Sequence, residues 1–419
     1  MARRLRPFLT SVFPILIAAA LLRLWFAWDY ERHAPHQALR AIPFLFESGN
    51  IAVSIAKGGG FASPFRVNTG PTAWMTPLYP LLLSVILRVF GVYTYKAWAA
   101  AVLMNICFST LACLPVYYAA KRMGGTGLAA LAAWLWAIFP NAILLSFQSL
   151  WDTSLSALLG ITVVWATLRV ADSRRSIEWW AYGLLWGTAL MANAALLSLL
   201  PILLGWAWWR NRSLNRAALA LLMTVACCIP WTIRNYRVFH TLVPLRSVLG
   251  LQLWVGNNPD AKVVWLGTQH PIHDVAEREH YTEIGEIAYM REKRDNAIRY
   301  ILTHPSHEAE LIAGRFVMVW SGGTPSPLAD FASSHSAWFR FVLLFNLAAA
   351  LAAATGIVVL FLRRNPCAIP FAAGPVIFPF AYYLTLALPR YRHPIDPTLM
   401  ILLAYCLRSL VALNYSPNS

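Results

Sequence analysis

Long apolar runs separated by short basic clusters restrict what this chain can fold into before any motif is considered. A hydrocarbon core of about 30 Å takes about 20 apolar helical residues to cross, and about ten such runs are present. They are 8–28, 97–120, 127–146, 151–171, 179–194, 195–209, 216–233, 337–362, 367–388 and 395–412. Only 12% of the residues are charged, about half the share of a water-soluble globular chain. A soluble enzyme is therefore excluded. In lipid a helix satisfies its backbone groups within one segment, so the expected class is an all-α polytopic membrane protein with about ten transmembrane helices.

The net charge of +16 does not call for nucleic acid as a partner, because the basic residues gather in short loops. Arg3/Arg4/Arg6, Lys121/Arg122, Arg174/Arg175, Arg210/Arg212/Arg216 and Arg363/Arg364 alternate correctly if all of them face the cytoplasm. The first run is a retained anchor: it ends in LWFAWDY, without a small-x-small cleavage site. The stretch PLYPLLLSVILRVFGVY, 77–93, breaks the alternation if it crosses. It is assigned to a re-entrant or interfacial helix of the first outer loop. The six cysteines all lie in apolar runs and form neither a disulfide framework nor a zinc motif. No internal repeat is evident.

This topology divides the chain into an N-terminal membrane module, 1–233, with its first outer loop at 29–96, an outer, periplasmic segment, 234–336, and C-terminal membrane helices, 337–419. Within the outer segment Ile284, Ile287, Ala288, Met290, Ala297, Ile298 and Ile301 recur at helical spacing. The spacing predicts a small, water-facing helical cap.

Acidic residues near membrane depth are costly and need a partner or a task. Glu47, in FLFESGN, lies in the first outer loop, and Asp152, in QSLWDTSL, opens a span. An Asp at that position also serves as an N-cap or first-turn residue, and both uses stand. The run Gly58-Gly59-Gly60 is a flexible turn, since no Gly-Lys-Ser/Thr follows it. His270, His273, His280, His304 and His307 match no metal-site spacing and read as surface side chains. Arg234, Arg237, Arg246, Arg390 and Arg392 emerge at outer span ends, where topology does not require them. Guanidinium groups there suit a lipid-linked phosphate, or else ordinary headgroups.

Five strings, in this order, carry a resemblance: IAVSIAKGGGFASPF, TGPTAWMTPLYPLLLSVILRVFG, PWTIRNYRVFHTLVPLRSVLGLQLWVGNNP, GEIAYMREK and PRYRHPIDP. Together they resemble the bacterial branch of GT-C fold glycosyltransferases. These integral membrane enzymes are similar to dolichyl-phosphate-mannose protein mannosyltransferases and to the aminoarabinose transferase of lipid A. The resemblance implies a GT-C-like bundle with outer juxtamembrane helices. It further implies inverting transfer of a sugar, on the periplasmic face, from a polyprenyl-phosphate carrier to a lipid, glycan or protein acceptor. Such families place the base in the first outer loop and a second acid near the start of a span, which points to Glu47 and Asp152. Asp29 and Glu31 are the other first-loop acids.

The chemistry agrees with these residues. An inverting displacement needs a base for the acceptor hydroxyl and cationic donors for the charge on the departing phosphate, a role for Arg390, Arg392, Arg234 and Arg246. A phosphate leaves as a stable anion, so a second acid is not required as it is in glycoside hydrolysis. No metal ligand and no certain cofactor is assigned, and a divalent cation stays open. Two other readings remain: a ligase or polymerase using diphosphate-linked glycans, and a lipid or glycan transporter. A transporter would line a path through the spans with ionisable groups, whereas Arg23, Arg169 and Arg408 lie toward span ends.

Overall fold

The computed structural model describes residues 10–33 and 46–414; Arg3, Arg4 and Arg6 of the basic N-terminus lie outside them. Among the described residues the regular elements are helices, with one isolated antiparallel bridge between Ala62 and Pro71. Helix α1 is Val12–His33, followed by α2, Glu47–Ala56, and α3, Leu78–Phe90. With 13 residues, α3 is about 20 Å long, well short of a hydrocarbon core of about 30 Å. It buries Tyr79, Leu83 and Leu87, one face at four-residue spacing, and leaves Leu81, Val85 and Val89 exposed. The stretch expected to be a re-entrant or interfacial helix is thus a short helix with one buried and one exposed face.

Helix α4, Tyr95–Leu111, starts at Thr94, whose hydroxyl accepts the N–H of Ala97. It leads into α5, Cys113–Ile138. The combined stretch has 44 residues and would be about 66 Å long if straight, too long for one crossing. The chain instead doubles back at Gly124 and Gly125, where φ is −156° and 80°, directly after the basic pair Lys121/Arg122. The reversal is visible in the bonding: the Trp136 indole donates to the Ser109 carbonyl at 2.9 Å. Those residues would lie about 40 Å apart on a continuous helix.

Helices α6, Pro140–Leu144, α7, Thr153–Ala171, and α8, Ser176–Ala192, come next. Asn193 accepts the N–H of Ala195 and opens a 3-10 turn, Ala194–Leu199, before α9, Leu200–Asn211. The span expected at 195–209 is thus a 3-10 start plus 12 helical residues. Helix α10, Leu214–Phe239, overruns the edge expected at 233 and carries Pro230 inside it. Among the described residues five stretches are long and apolar enough to cross a membrane: Val12–His33, Tyr95–Ile138, Thr153–Ala171, Leu214–Phe239 and Ala337–Leu362. Of the other expected runs, 179–194 and 195–209 form shorter helices, 367–388 is interrupted, and 395–412 forms a continuous 19-residue helix, Asp396–Asn414.

Among the described residues, Arg122, Arg210 and Arg408 share one end of the bundle. Arg122 donates to the Leu168 carbonyl and pairs with Asp172 at 3.2 Å, Arg210 lies 3.9 Å from Asp172, and Arg408 donates to the Gly124 carbonyl at 3.1 Å. Asp172 caps the far end of α7. Asp152 sits at its start, about 29 Å away along a 19-residue helix.

One buried arginine serves the packing itself. Pro140 has no N–H to give the Trp136 carbonyl, which takes the Phe139 N–H at 3.3 Å instead, and Phe139 turns the chain away, so the last turn of α5 is short of helical donors. Arg23, fully buried, donates to the carbonyls of Ala137 at 3.1 Å and Trp136 at 3.3 Å, and to Ser109 at 2.8 Å. Sequence reasoning placed it toward a span end; it joins α1 to α4 and α5.

The middle of the chain forms α11, Leu249–Gly256, α12, Val275–Ile284, α13, Glu286–Thr303, α14, Pro305–Ser321, and α15, Pro327–Ser333. Gly285, at φ 81°, separates α12 from α13 and resets the phase of the apolar stripe. As a result α13 buries Tyr289, Met290, Lys293 and Ala297, while Ile284 and Ile298 stay exposed. The chain closes with α16, Ala337–Leu362, α17, Ala368–Ile377, α18, Phe380–Leu384, a 3-10 turn, Pro389–Ile395, and α19, Asp396–Asn414. Pro375 and Pro379 divide the span expected at 367–388.

Candidate active site

A cavity of about 130 Å³ opens at the end of the bundle where α7 begins. An apolar cavity of about 150 Å³ holds one benzene, so this one has room for about a single six-membered ring. Glu47, Asp152, Arg246 and Arg390 all line it, although they come from four distant parts of the chain. Trp74, Trp151, Trp265, Tyr382 and Tyr391 supply aromatic walls.

Glu47 is the first residue of α2 and is 7% exposed. The N-cap of that helix is Phe46, which has no side-chain cap. Glu47 Oε1 lies 3.6 Å from Nε2 of His270, and Oε2 is buried without a hydrogen bond. Burial pushes its pKa above the ordinary carboxylate value, while its own backbone N–H and then the nearby Arg390 charge pull it back down. The 3.6 Å contact is not an ion pair, because burial and the neighbouring His273 hold the His270 ring neutral, with its pKa lowered to about 3.

Asp152 precedes α7 and makes no side-chain cap, so the capping use open at sequence level is not the one realised. Its Oδ2 accepts from Ser156 at 2.8 Å and from the Asn193 amide at 3.2 Å. Asn193 was missed from the sequence. The only local sign is its place at a helix break, where its own Oδ1 caps the following turn and frees the amide for Asp152.

Arg390 stacks on Trp151, its guanidinium carbon 4.1 Å from the ring centre, with Tyr391 5.3 Å away. Stacking engages the faces of the guanidinium and leaves its N–H edges for a ligand. Arg246 carries no hydrogen bond or ion pair to a described side chain, and its charge is felt at Asp152.

Two other expected phosphate ligands are placed elsewhere. Arg392 is 2% exposed; it pairs with Asp396 at 2.7 Å, donates to the carbonyls of Val319 at 3.0 Å and Trp320 at 3.2 Å, and bonds Asn346. That set ties α14 and α16 to the turn before α19 and engages four of its five donors. Arg234 donates to the carbonyls of Thr72 at 2.6 Å and Phe61 at 2.7 Å and lies over Trp231, fastening the first loop outside the cavity. Arg237 is exposed and does not line it either. Asp29 stays in α1, half-exposed beside His33, and Glu31 accepts from Tyr95 at 3.0 Å; neither lines the cavity.

His270 corrects a reading of the sequence. Expected at the surface, it is 8% exposed, enclosed edge-on by Trp74 and Trp265 at 5.5 and 5.4 Å. Trp74 and Trp265 lie far from each other in sequence, so nothing local to His270 announces its burial. No group of three or more His, Cys, Asp or Glu suited to a metal occurs among the described residues.

No protein-family model and no curated protein matches the sequence. Solved structures do match in shape. The archaeal oligosaccharyltransferase AglB from Archaeoglobus fulgidus, in complex with an inhibitory peptide and a dolichol-phosphate, aligns with a TM-score of 0.55 at 14% identity. The alignment covers 97% of this chain and 52% of that one. The chain has the GT-C fold. An Archaeoglobus fulgidus oligosaccharyltransferase tethered to an acceptor peptide containing the NVT sequon gives 0.53 at 13% identity, over 96% of this chain and 50% of that one. The GT-C chain described here therefore spans about half the length of these archaeal enzymes, and at such identity the likeness is one of fold.

Proposed function

We propose that this GT-C protein is an inverting glycosyltransferase, moving a single sugar from a polyprenyl-phosphate carrier to an acceptor hydroxyl at the outer face of the membrane. One observation carries the reading: a raised carboxyl, a second oriented carboxylate and two arginines with no hydrogen bond to a described residue line the same cavity, with room for about one six-membered ring. That cavity lies at the bundle end opposite Arg122, Arg210 and Arg408, which the positive-inside tendency puts in the cytoplasm.

In this reaction the acceptor oxygen attacks the anomeric carbon as the bond from that carbon to the phosphate oxygen breaks. The hydroxyl proton passes to Glu47, and the electron pair leaves with the polyprenyl phosphate. Arg246 and Arg390 bind the donor phosphate and stabilise the charge it gains on departure. A raised pKa suits Glu47 to the task, since a base works best near the operating pH. Asp152, fixed by Ser156 and Asn193, orients the acceptor. Two arginines suit one phosphate group, which favours a monophosphate carrier over a diphosphate one.

Transfer of a preassembled glycan from a diphosphate carrier is the second reading, favoured by the likeness in fold to oligosaccharyltransferases. Purified protein is offered polyprenyl-phosphate and polyprenyl-diphosphate sugars side by side, with Glu47→Gln as control. Turnover of a monophosphate donor, abolished in Glu47→Gln, is the expected result; turnover of diphosphate donors alone contradicts the proposal. The acidic limb of kcat/KM should lie above the ordinary Glu value of about 4.3, with activity rising with pH as Glu47 ionises. An acidic limb at or below that value removes Glu47 as the base.

A further inference from the structure

We infer that His270 is the positioning residue for Glu47: its Nε2–H faces Oε1 of the carboxylate and leaves Oε2 as the atom that takes the acceptor's proton. The inference rests on the reading of Glu47 as the base. Its warrant is geometric. The backbone N–H of Ile272 donates to Nδ1 of His270 at 3.2 Å, so Nδ1 is an acceptor. A neutral imidazole then carries its proton on Nε2, the nitrogen that lies 3.6 Å from Glu47 Oε1. Trp74 and Trp265 fix the ring plane edge-on from both sides. Glu47 Oε2 is buried and accepts nothing, which is costly for a carboxylate oxygen until a hydroxyl arrives to donate to it.

A separation of 3.6 Å is longer than a hydrogen bond, in keeping with an unloaded site, where catalytic contacts tighten on binding. His270 is not itself the base, because its one ring lone pair is engaged by Ile272. During transfer the acceptor proton moves to Oε2, the new glycosidic bond forms, the bond to phosphate breaks, and His270 stays neutral throughout. Other charges act on the pair. Arg390 faces Glu47, His273 faces His270, and Asp152 and Arg246 line the same cavity. On α3, Arg88 donates to the Ile55 carbonyl at the far end of α2.

Donation from Nε2–H favours the ionised carboxylate, so its loss must raise the Glu47 titration. The test is an infrared titration of the carboxyl in the full chain in nanodiscs saturated with polyprenyl phosphate, where the contact is closed, with the Glu47 band isolated by subtracting the Glu47→Gln spectrum. In His270→Ala the midpoint is expected to rise by about one pH unit, whereas His270→Gln, which keeps an N–H donor, should stay near the unaltered protein. An unchanged midpoint in His270→Ala overturns the inference. Should that variant not fold, nitrogen-15 NMR of the histidine-labelled, unaltered protein decides, the His270 signal being assigned by its loss in His270→Gln. A neutral Nε2–H tautomer is expected down to about pH 5; the Nδ1–H tautomer overturns it. Failure of the underlying reading looks different: Glu47→Gln would keep turning over a monophosphate donor while the infrared coupling remained.

Discussion

Arg390 and Arg392 stand two residues apart in one motif and have separate tasks. They sit in a 3-10 turn, where three residues complete a rotation and positions i and i+2 lie about 240° apart. Arg390 therefore stacks on Trp151 at the cavity, and Arg392 points into the protein toward Asp396 and Asn346. Removing Arg246 or Arg390 is expected to weaken polyprenyl-phosphate binding about tenfold to a hundredfold, the equivalent of one charge-assisted hydrogen bond of about 1.5–3 kcal/mol, and to leave thermal stability nearly unchanged. Lys at either place restores charge without the planar fork and should recover only part of the loss. Arg392→Ala should do the reverse, leaving Asp396 buried without its guanidinium at a cost of about 3–5 kcal/mol. Titration calorimetry and thermal melts of the variants check both halves. Glu47, Asp152, Arg246 and Arg390 were legible in the sequence because ionisable groups beside apolar runs are few. The inward turn of Arg392 was not, since it depends on carbonyls of Val319 and Trp320 contributed by α14.

The elements around the cavity are joined by a buried carboxylate that is not part of the chemistry. Glu286, 5% exposed at the start of α13, accepts from the N–H of Ala73 at 2.8 Å, from Ser247 at 2.7 Å and from Tyr281 at 2.6 Å, and also from Thr72. One side chain thus holds the first-loop segment before Trp74, the residue after Arg246 and the end of α12. Glu286→Ala is expected to lower stability by about 3–5 kcal/mol and to weaken donor binding through Arg246. Unchanged melting and donor affinity would show that the loops are held by other contacts. Deeper in the bundle, α8 and α10 approach closely at Gly183 and Gly187, where an added Cβ would lie 2.3 Å from the Ala220 carbonyl oxygen and 2.3 Å from the Cys227 Cβ. This is the close contact of small residues four apart on membrane helices. Gly187→Leu should separate the pair and reduce recovery of folded protein; normal recovery would mean that α10 can shift to make room. The short length of α3 was legible from loop parity, whereas the two-piece form of the 195–209 run was not. Its break depends on Asn193, whose side chain serves both the turn and Asp152.

At the scale of the whole molecule, the bundle has a basic end and a cavity end about 29 Å apart along α7. The sequence pattern indicates which end faces the cytoplasm, and a labelling experiment checks it in a cysteine-free background. Cysteines at Lys57 and Lys96, both exposed and flanking α3, should react with an impermeant reagent added outside, and one at exposed Arg174 should not. Labelling of only one of the first two would mean that α3 crosses. The GT-C fold was legible from five ordered strings, but the assembly of the cavity was not, because His270, Trp74, Trp265 and Asn193 meet only in three dimensions. The central claim is that Arg246 and Arg390 hold a lipid-linked phosphate next to Glu47. It is tested most directly by cryo-electron microscopy of the protein in nanodiscs containing polyprenyl phosphate. The account predicts phosphate density within hydrogen-bond distance of both guanidinium groups, in the cavity that Glu47 lines. Phosphate density at Arg234 or elsewhere on the bundle, with that cavity left vacant, would contradict it.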